Sequence, residues 1–362
     1  MRKLVFVIEQ LQGGGAERVT AALMNELCGK MEVHLVSTYH HDLEDEYPTD
    51  PRITRHTIGA PCKPWIALLG QRMLYLRRMI REIAPDCVVS LATTRTNILL
   101  TLAMTGSKIP LVLSERNDPA RSPSTKVVRA LRYWIYDACE GLVFQTTEAQ
   151  QYFPARIHGK STVICNPLTG RLPERYEGEK KQRIINCCRL APQKNLDLLI
   201  DAFSDIADEF PELSLEVFGK GSERERLEKK ISDMGLAERI HLPGFSEHAH
   251  EEMQKSLMFV SSSDYEGISN SMLEAIALGV PTVCTDCPAG GAREVIRDGV
   301  NGLLVPTGDR DALVQAMRRM LMEPELAHRV SRNGFELRSE LAPEVIAGKW
   351  LDYIVRIVEA NA

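Results

Sequence analysis

Twice along its length the sequence alternates short apolar runs with stretches of helical spacing. Between the two series lies one polar segment broken by glycine and proline, LTGRLPERYEGEKKQ at 168–182. The first series runs KLVFVIEQ, VTAALMNELCGK, MEVHLVSTY, IALLGQRMLYLRRMIREI, DCVVSLAT, IPLVLSE, VVRALRYWIYDAC and GLVFQT. The second starts at RIINCCRL and passes through NLDLLIDAFSDIADEF, LSLEVFGKG, ERLEKKISDMG, RIHLPGF, LMFVSSSD, PTVCTD and GLLVP to DALVQAMRRMLM. Continuous apolar strands alternating with helices require a parallel sheet covered on both faces. The expectation is therefore two doubly wound α/β domains facing each other across a cleft, one over 1–166 and one over 183–343. Residues 167–182 act as a linker, and a last helix, about 344–362, returns to the first domain. Ligands of such sheets bind beyond the carboxyl ends of the strands.

The length of 362 residues suits two cores rather than one. Nine scattered cysteines form no disulfide-like framework, and the pair Cys284 and Cys287 has no partner pair at zinc-site spacing. Reduced thiols in the cytosol are the expectation. MRKLVFVIEQ is too short an apolar run for a signal peptide, and no run reaches the ~18 residues of a spanning helix. The net charge of −5 conceals an asymmetry: residues 1–165 carry 20 Lys and Arg against 16 Asp and Glu, and the remainder 24 against 33. Different partners for the two halves follow. The acidic balance and the lack of a recognition motif argue against nucleic acid.

Chemistry concentrates in DYEGISNSMLEAIALGVPTV, where Glu266 and Glu274 stand eight positions apart. DYEG follows the apolar run LMFVSSS, and helical spacing resumes near Ser269 or Asn270. Glu266 should thus face a ligand from a loop and Glu274 from one turn into a helix. The N–H groups of Gly267, Ile268, Ser269 and Asn270 at the helix start suit a phosphate. The alternative is a capping box of Ser271 with Glu274 and a solvated Glu266. In CCRLAPQKNLDLLI, Arg189 and Lys194 share one strand-to-helix loop and can neutralise a diphosphate leaving group without a metal. In FGKGS, Gly219 lets the backbone approach a ligand closely, or makes a plain turn. The Asp309–Asp311 pair imitates a metal motif, but it opens a helix and reads most simply as an N-cap.

Together these pieces resemble retaining glycosyltransferases of family 4, bacterial enzymes of polysaccharide and lipid-linked oligosaccharide assembly with the two-domain GT-B architecture. The resemblance rests on GGGAER, SERND at 114–118, NPL at 166–168, RLAPQKNLDLLI, FGKGSERERL, YEGISNSMLEAIALGVPTV and NGLLVP, and it covers nearly the whole chain. It implies that Arg189 and Lys194 hold the donor diphosphate, Glu266 meets the transferred sugar and Glu274 the ribose. Gly14 and Gly15 approach the phosphates. It also implies transfer with retention, no metal or other cofactor, and a hexose or N-acetylhexosamine from a nucleotide sugar such as UDP-Gal, UDP-GalNAc or UDP-Glc(NAc). Many members carry a histidine after the SE of the first-domain loop; here that residue is Arg116. Glu115 and Arg116 are expected to orient acceptor or donor sugar, against the alternative of a salt-bridged loop.

A basic stretch with Lys63, Arg72, Arg77, Arg78 and Arg81 accompanies Trp65, Ile66, Leu68, Leu69, Met73, Leu74 and Leu76, and a second holds Arg121, Lys126, Arg129 and Arg132 with Trp134. Such helices suit the anionic cytoplasmic face of an inner membrane and a polyprenyl-diphosphate-glycan acceptor. The alternative is helices packed on the sheet with solvated cations. A nicotinamide dehydrogenase fails on the missing third glycine of GGGAER and on the Ser37–Thr38 ending of the second strand. A UDP-sugar 2-epimerase or a non-catalytic nucleotide-sugar-binding subunit are the remaining rivals.

Overall fold

A computed structural model describes residues 1–39, 47–58, 69–170 and 172–362. The chain divides into two compact units, Met1–Thr169 with Leu341–Ala362, and Gly170–Glu340. Both are α/β units with a wholly parallel sheet among the described residues.

The first unit contains β1 (Lys3–Ile8), α1 (Gly15–Leu27), β2 (Glu32–Ser37), β3 (Thr54–Thr57), α2 (Leu69–Ile83), β4 (Cys87–Ser90), α3 (Thr94–Met104), β5 (Leu111–Glu115), α4 (Lys126–Ala138), β6 (Gly141–Phe144), α5 (Thr147–Gln151), α6 (Ala155–His158) and β7 (Ser161–Val163). Its strand order is β3-β2-β1-β4-β5-β6-β7. Strands β4, β5 and β6 are buried throughout, as unbroken apolar runs in a two-sided parallel sheet should be.

The second unit contains β8 (Lys181–Cys187), α7 (Leu196–Ala207), β9 (Ser214–Phe218), α8 (Arg224–Asp233), β10 (Ile240–Gly244), α9 (Ala249–Gln254), β11 (Ser256–Ser261), α10 (Asn270–Ala277), β12 (Thr282–Thr285), β13 (Leu303–Val305), α11 (Arg310–Met322) and α12 (Pro324–Glu340). The order is β10-β9-β8-β11-β12-β13. One continuous core joins Leu199, Phe203 and Ile206 of α7 to Ile184, Leu215 and Val260 of the strands and to Met317 of α11. Asp309 caps α11, accepting from the amide of Ala312 at 2.9 Å. Then α13 (Pro343–Ala360) returns to the first unit, where Trp350 is fully buried and Tyr353 packs on β6. The Tyr353 hydroxyl accepts from the Leu142 amide at 2.8 Å and donates to the Lys160 carbonyl at 2.6 Å.

Strands β3 and β7, of four and three residues, and helices α3, α5, α6, α9 and α12 were not anticipated. The basic-stretch reading is corrected at two residues. Arg132 is fully buried, paired with Glu115, and Arg72 is buried with its guanidinium 4.5 Å from the Tyr39 ring centre. Each lies on the inner face of its helix, so its charge is spent inside the unit. Lys63, Trp65, Ile66 and Leu68 fall outside the described residues. No described helix is long and apolar enough to cross a membrane.

Candidate functional site

In each unit the strand order reverses direction at one place, between β1 and β4 and between β8 and β11. Crevices at such switch points are where open α/β sheets take ligands. In the second unit, β8 ends at Cys187 and runs into the loop of Arg189 and Lys194, while β11 ends at Ser261 and runs into the loop of Glu266. Topology and residue chemistry therefore select the same two loops.

These loops are tied together. The Lys194 ammonium donates to Glu266 Oε1, which also accepts from the Ser263 hydroxyl at 3.3 Å. Both side chains of the ion pair are about five-sixths buried, at 15% and 16% exposure. Burial alone would lower the Lys194 pKa, but the neighbouring carboxylate prevails and holds it above the ordinary lysine value. Arg189 is exposed in the same loop and opposes that rise. Backbone bonds fix the geometry: Asp264 N to the Gln193 carbonyl at 2.9 Å, and Gln193 Nε2 to the Tyr265 carbonyl at 2.8 Å. Asn195, in the left-handed region at φ 42°, caps α7 and donates through Nδ2 to Asp264 at 2.7 Å. A cation and a carboxylate are thus presented side by side on rigid supports.

Helix α10 begins at Asn270, and its N-cap is Ser269, which accepts from the Met272 amide at 3.4 Å. The capping-box alternative fails, because Ser271 is not the cap and Glu274 is turned inward. Its carboxylate is buried, with Oε2 3.3 Å from Nε2 of His250 on α9. Gly219 has φ 139°, and a Cβ there would fall 1.8 Å from the Cys188 carbonyl oxygen. Only glycine fits where β8 and β9 end side by side. Burial pushes the thiols of Cys188 and Cys287 up to about 12, so both stay protonated at neutral pH and neither competes as a nucleophile.

In the first unit, Gly14 is the N-cap of α1 and Gly15 its first residue. The Glu17 carboxylate lies against Gly14, where a Cβ would meet its Oε2 at 1.8 Å. Glu115 closes β5 and is buried: Oε2 accepts from Arg132 Nη1 at 2.8 Å and from the Tyr136 hydroxyl at 2.9 Å. Desolvation raises the Glu115 pKa above the ordinary carboxylate value even against the Arg132 charge. Arg116 points elsewhere, donating through Nη2 to Asn166 Oδ1 at 2.5 Å.

Two family patterns match in tandem: Glycosyltransferase Family 4 over residues 13–169, and Glycosyl transferases group 1 over residues 173–337. The chain belongs to glycosyltransferase family 4. Two relatives of this glycosyltransferase come from Campylobacter jejuni. One is the N-acetylgalactosamine-N,N'-diacetylbacillosaminyl-diphospho-undecaprenol 4-alpha-N-acetylgalactosaminyltransferase, 27% identical, with 98% of this chain and 100% of that one covered. The other, which extends a GalNAc-GalNAc-diNAcBac-PP-undecaprenol, is 24% identical over 99% of this chain and 100% of its own length. The family 4 chain spans only 30% of a third relative, an exopolysaccharide phosphotransferase of Streptomyces coelicolor, at 29% identity over 78% of its own residues. Among solved structures, Anabaena HepE in complex with UDP-glucose aligns at a TM-score of 0.79 and 17% identity, covering 98% of this glycosyltransferase and 100% of the other chain. That likeness establishes the GT-B fold.

Two residues of the glycosyltransferase escaped the sequence reading. His250 carried no signal, since it sits in the polar run SEHAHEEM without periodicity. Gly291 was legible only as part of AGGAR, yet a Cβ there would lie 1.6 Å from the Gly267 carbonyl oxygen. It sets how closely the 288–291 turn backs the Glu266 loop, which it also grips through Glu266 N to the Pro288 carbonyl at 2.7 Å.

Proposed function

We propose that the chain is a retaining, metal-independent glycosyltransferase that moves a hexose or N-acetylhexosamine from a UDP-sugar to a polyprenyl-diphosphate-linked glycan in bacterial surface glycan assembly. The observation that carries it is the buried Lys194–Glu266 pair at the switch point of the second unit, beside Arg189 and the start of α10. The names of the Campylobacter relatives and the UDP-glucose in the Anabaena structure support the choice of acceptor and donor classes.

The chemistry follows from charge. As the bond from sugar to diphosphate breaks, negative charge grows on the leaving phosphate. Arg189, Lys194 and the amides of Gly267 to Asn270 are set to meet it, and electrostatic stabilisation of this kind contributes about 3–4 kcal/mol per well-placed donor. Glu266 holds Lys194 in place and presents its carboxylate to the sugar, and Glu274 accepts from the ribose hydroxyls. Gly219 keeps backbone close to the donor. The acceptor hydroxyl attacks from the leaving-group face, and the departing phosphate oxygen takes its proton.

A thermal-shift screen of nucleotide sugars against the intact protein tests this reading, because a ligand of the native state raises its melting temperature. UDP-sugars should raise it, and Arg189→Ala/Lys194→Ala should abolish the rise. Sugar transfer to a lipid-diphosphate acceptor should proceed unchanged in EDTA. A rate lost to EDTA and restored by Mg²⁺ or Mn²⁺ overturns metal independence, and a donor that binds but is never transferred overturns the enzyme reading.

We also assign the first unit to the cytoplasmic face of the inner membrane. Helix α2 packs on α3 and α3 on α4. On this layer Leu74, Tyr75, Val127, Leu131 and Trp134 are exposed, with Arg78, Arg81 and Lys126 exposed among them and Arg77 half-buried. Basic residues beside exposed apolar ones suit an anionic bilayer, each cation contributing about 1 kcal/mol near the surface. Reversing Arg77, Arg78 and Arg81 to Glu should lower binding to vesicles containing phosphatidylglycerol at low salt by more than about tenfold. Unchanged binding removes the membrane assignment.

A further inference from the structure

Arg116 leaves the end of β5 with its guanidinium shielded from solvent and largely unspent. Nη2 donates to Asn166 Oδ1, which is itself fixed by Gln145 Nε2 at 2.6 Å. Nε and Nη1 are buried and have no hydrogen-bond partner among the described residues. These two nitrogens carry most of the N–H donors of a guanidinium. Burial lowers the Arg116 pKa to about 10, while the nearby Cys165, Glu17 and Glu115 pull it back up, so the group is charged at neutral pH. Its nearest acid along the chain is turned to other donors: Glu115 Oε2 accepts from Arg132 and Tyr136, and Oε1 from the Arg116 backbone amide at 3.2 Å rather than from its guanidinium. A charged group out of water with most donors idle costs several kcal/mol unless a partner arrives, and folded proteins seldom leave such groups unmatched.

The surroundings say what partner fits. Asn166 and Gln145 hold the guanidinium in one orientation, and the Glu115–Arg132 ion pair pins the strand end from which it emerges. The position is the carboxyl end of a parallel strand, where ligands of this fold class bind. A planar, oriented, always-charged guanidinium is suited to an oxyanion rather than to a neutral hydroxyl. We propose that Arg116 is the receptor for an anionic oxygen group, a carboxylate or a phosphate, carried by the glycan acceptor. This deepens the transferase reading and rests on it for the identity of the acceptor. The chemistry has two sources, the carboxylate of a uronic acid residue or the phosphate of the lipid diphosphate.

The test uses the intact protein carrying Arg189→Ala and Lys194→Ala, so that anion binding in the second unit is silenced. Inorganic pyrophosphate and methyl glucuronate are titrated by calorimetry and by thermal shift. At least one should bind, and adding Arg116→Gln should weaken it about tenfold or more. Pyrophosphate alone points to the lipid diphosphate, and the glucuronate alone to an acidic sugar. If Arg116→Gln does not fold, Arg116→Lys, which keeps the charge and loses the planar fork, should show the same loss in part. Binding that is indifferent to Arg116, or no binding of either anion at about 10 mM, overturns the proposal. A failure of UDP-sugars to stabilise the parent protein would instead sink the transferase reading, so the two outcomes are separable.

Discussion

Glu266→Gln is expected to fold normally, to bind UDP within a few-fold of the parent and to transfer sugar about a hundred- to a thousand-fold more slowly. The amide keeps the shape of the carboxylate and can still meet the Ser263 hydroxyl. What it loses is the charge that holds Lys194 and faces the sugar. Lys194 remains free to meet a diphosphate, so affinity for the nucleotide should change less than turnover. That split, in kcat rather than in UDP affinity, separates a residue acting at the reacting sugar from one that merely supports the loop. Turnover within threefold of the parent, with an unchanged melting curve, contradicts the role given to Glu266.

Arg132→Met should be the most destabilising single change in the first unit, by about 3–5 kcal/mol. It leaves Glu115 as a buried carboxylate with no cation beside it, held only by the Tyr136 hydroxyl and the Arg116 amide, and it also strips donors from the carbonyls of Pro119 and Ser122. The pH dependence gives a sign to check. The folded-state pKa of Glu115 is already raised by burial, and losing Arg132 raises it further. A carboxyl raised on folding favours the folded state when protonated, and that advantage disappears as pH climbs from the unfolded pKa to the folded one. The gap in urea midpoint between variant and parent should therefore be widest near neutral pH and shrink toward pH 5. Adding Glu115→Gln should recover part of the loss. A gap that is flat with pH, or below about 1 kcal/mol, means that the pair does not hold the end of β5.

The alternation of apolar runs, and with it the paired parallel sheets, was legible because buried parallel strands and amphipathic helices write their periods into the chain. The loops of Arg189, Lys194 and Glu266 were legible for a related reason, since each sits where an apolar strand run stops. Burial of single cations was not legible. Arg132 reads like Arg129 until Glu115 and Tyr136 are brought to it by β5 and α4, and Arg72 reads like Arg78 until Tyr39 is placed beneath it. Helix spacing alone suggested Ser271 as partner of Glu274, whereas tertiary contact with His250 claims that carboxylate. Strands β3 and β7 were too short for any period to register.

The return of α13 has a consequence for how such a chain can be cut and recombined. The second unit is a topological insertion, leaving and rejoining the first at neighbouring points, where the Leu168 amide bonds the Leu341 carbonyl at 2.8 Å. Its own two ends are clasped by Arg338, which donates to the carbonyls of Leu172 and Pro173 at 2.7 and 2.8 Å. Both of its ends therefore offer natural points for cutting and rejoining the chain. Trimming helix α13 would instead injure the first unit, emptying the socket of Trp350 and removing the Tyr353 hydroxyl from the end of β6.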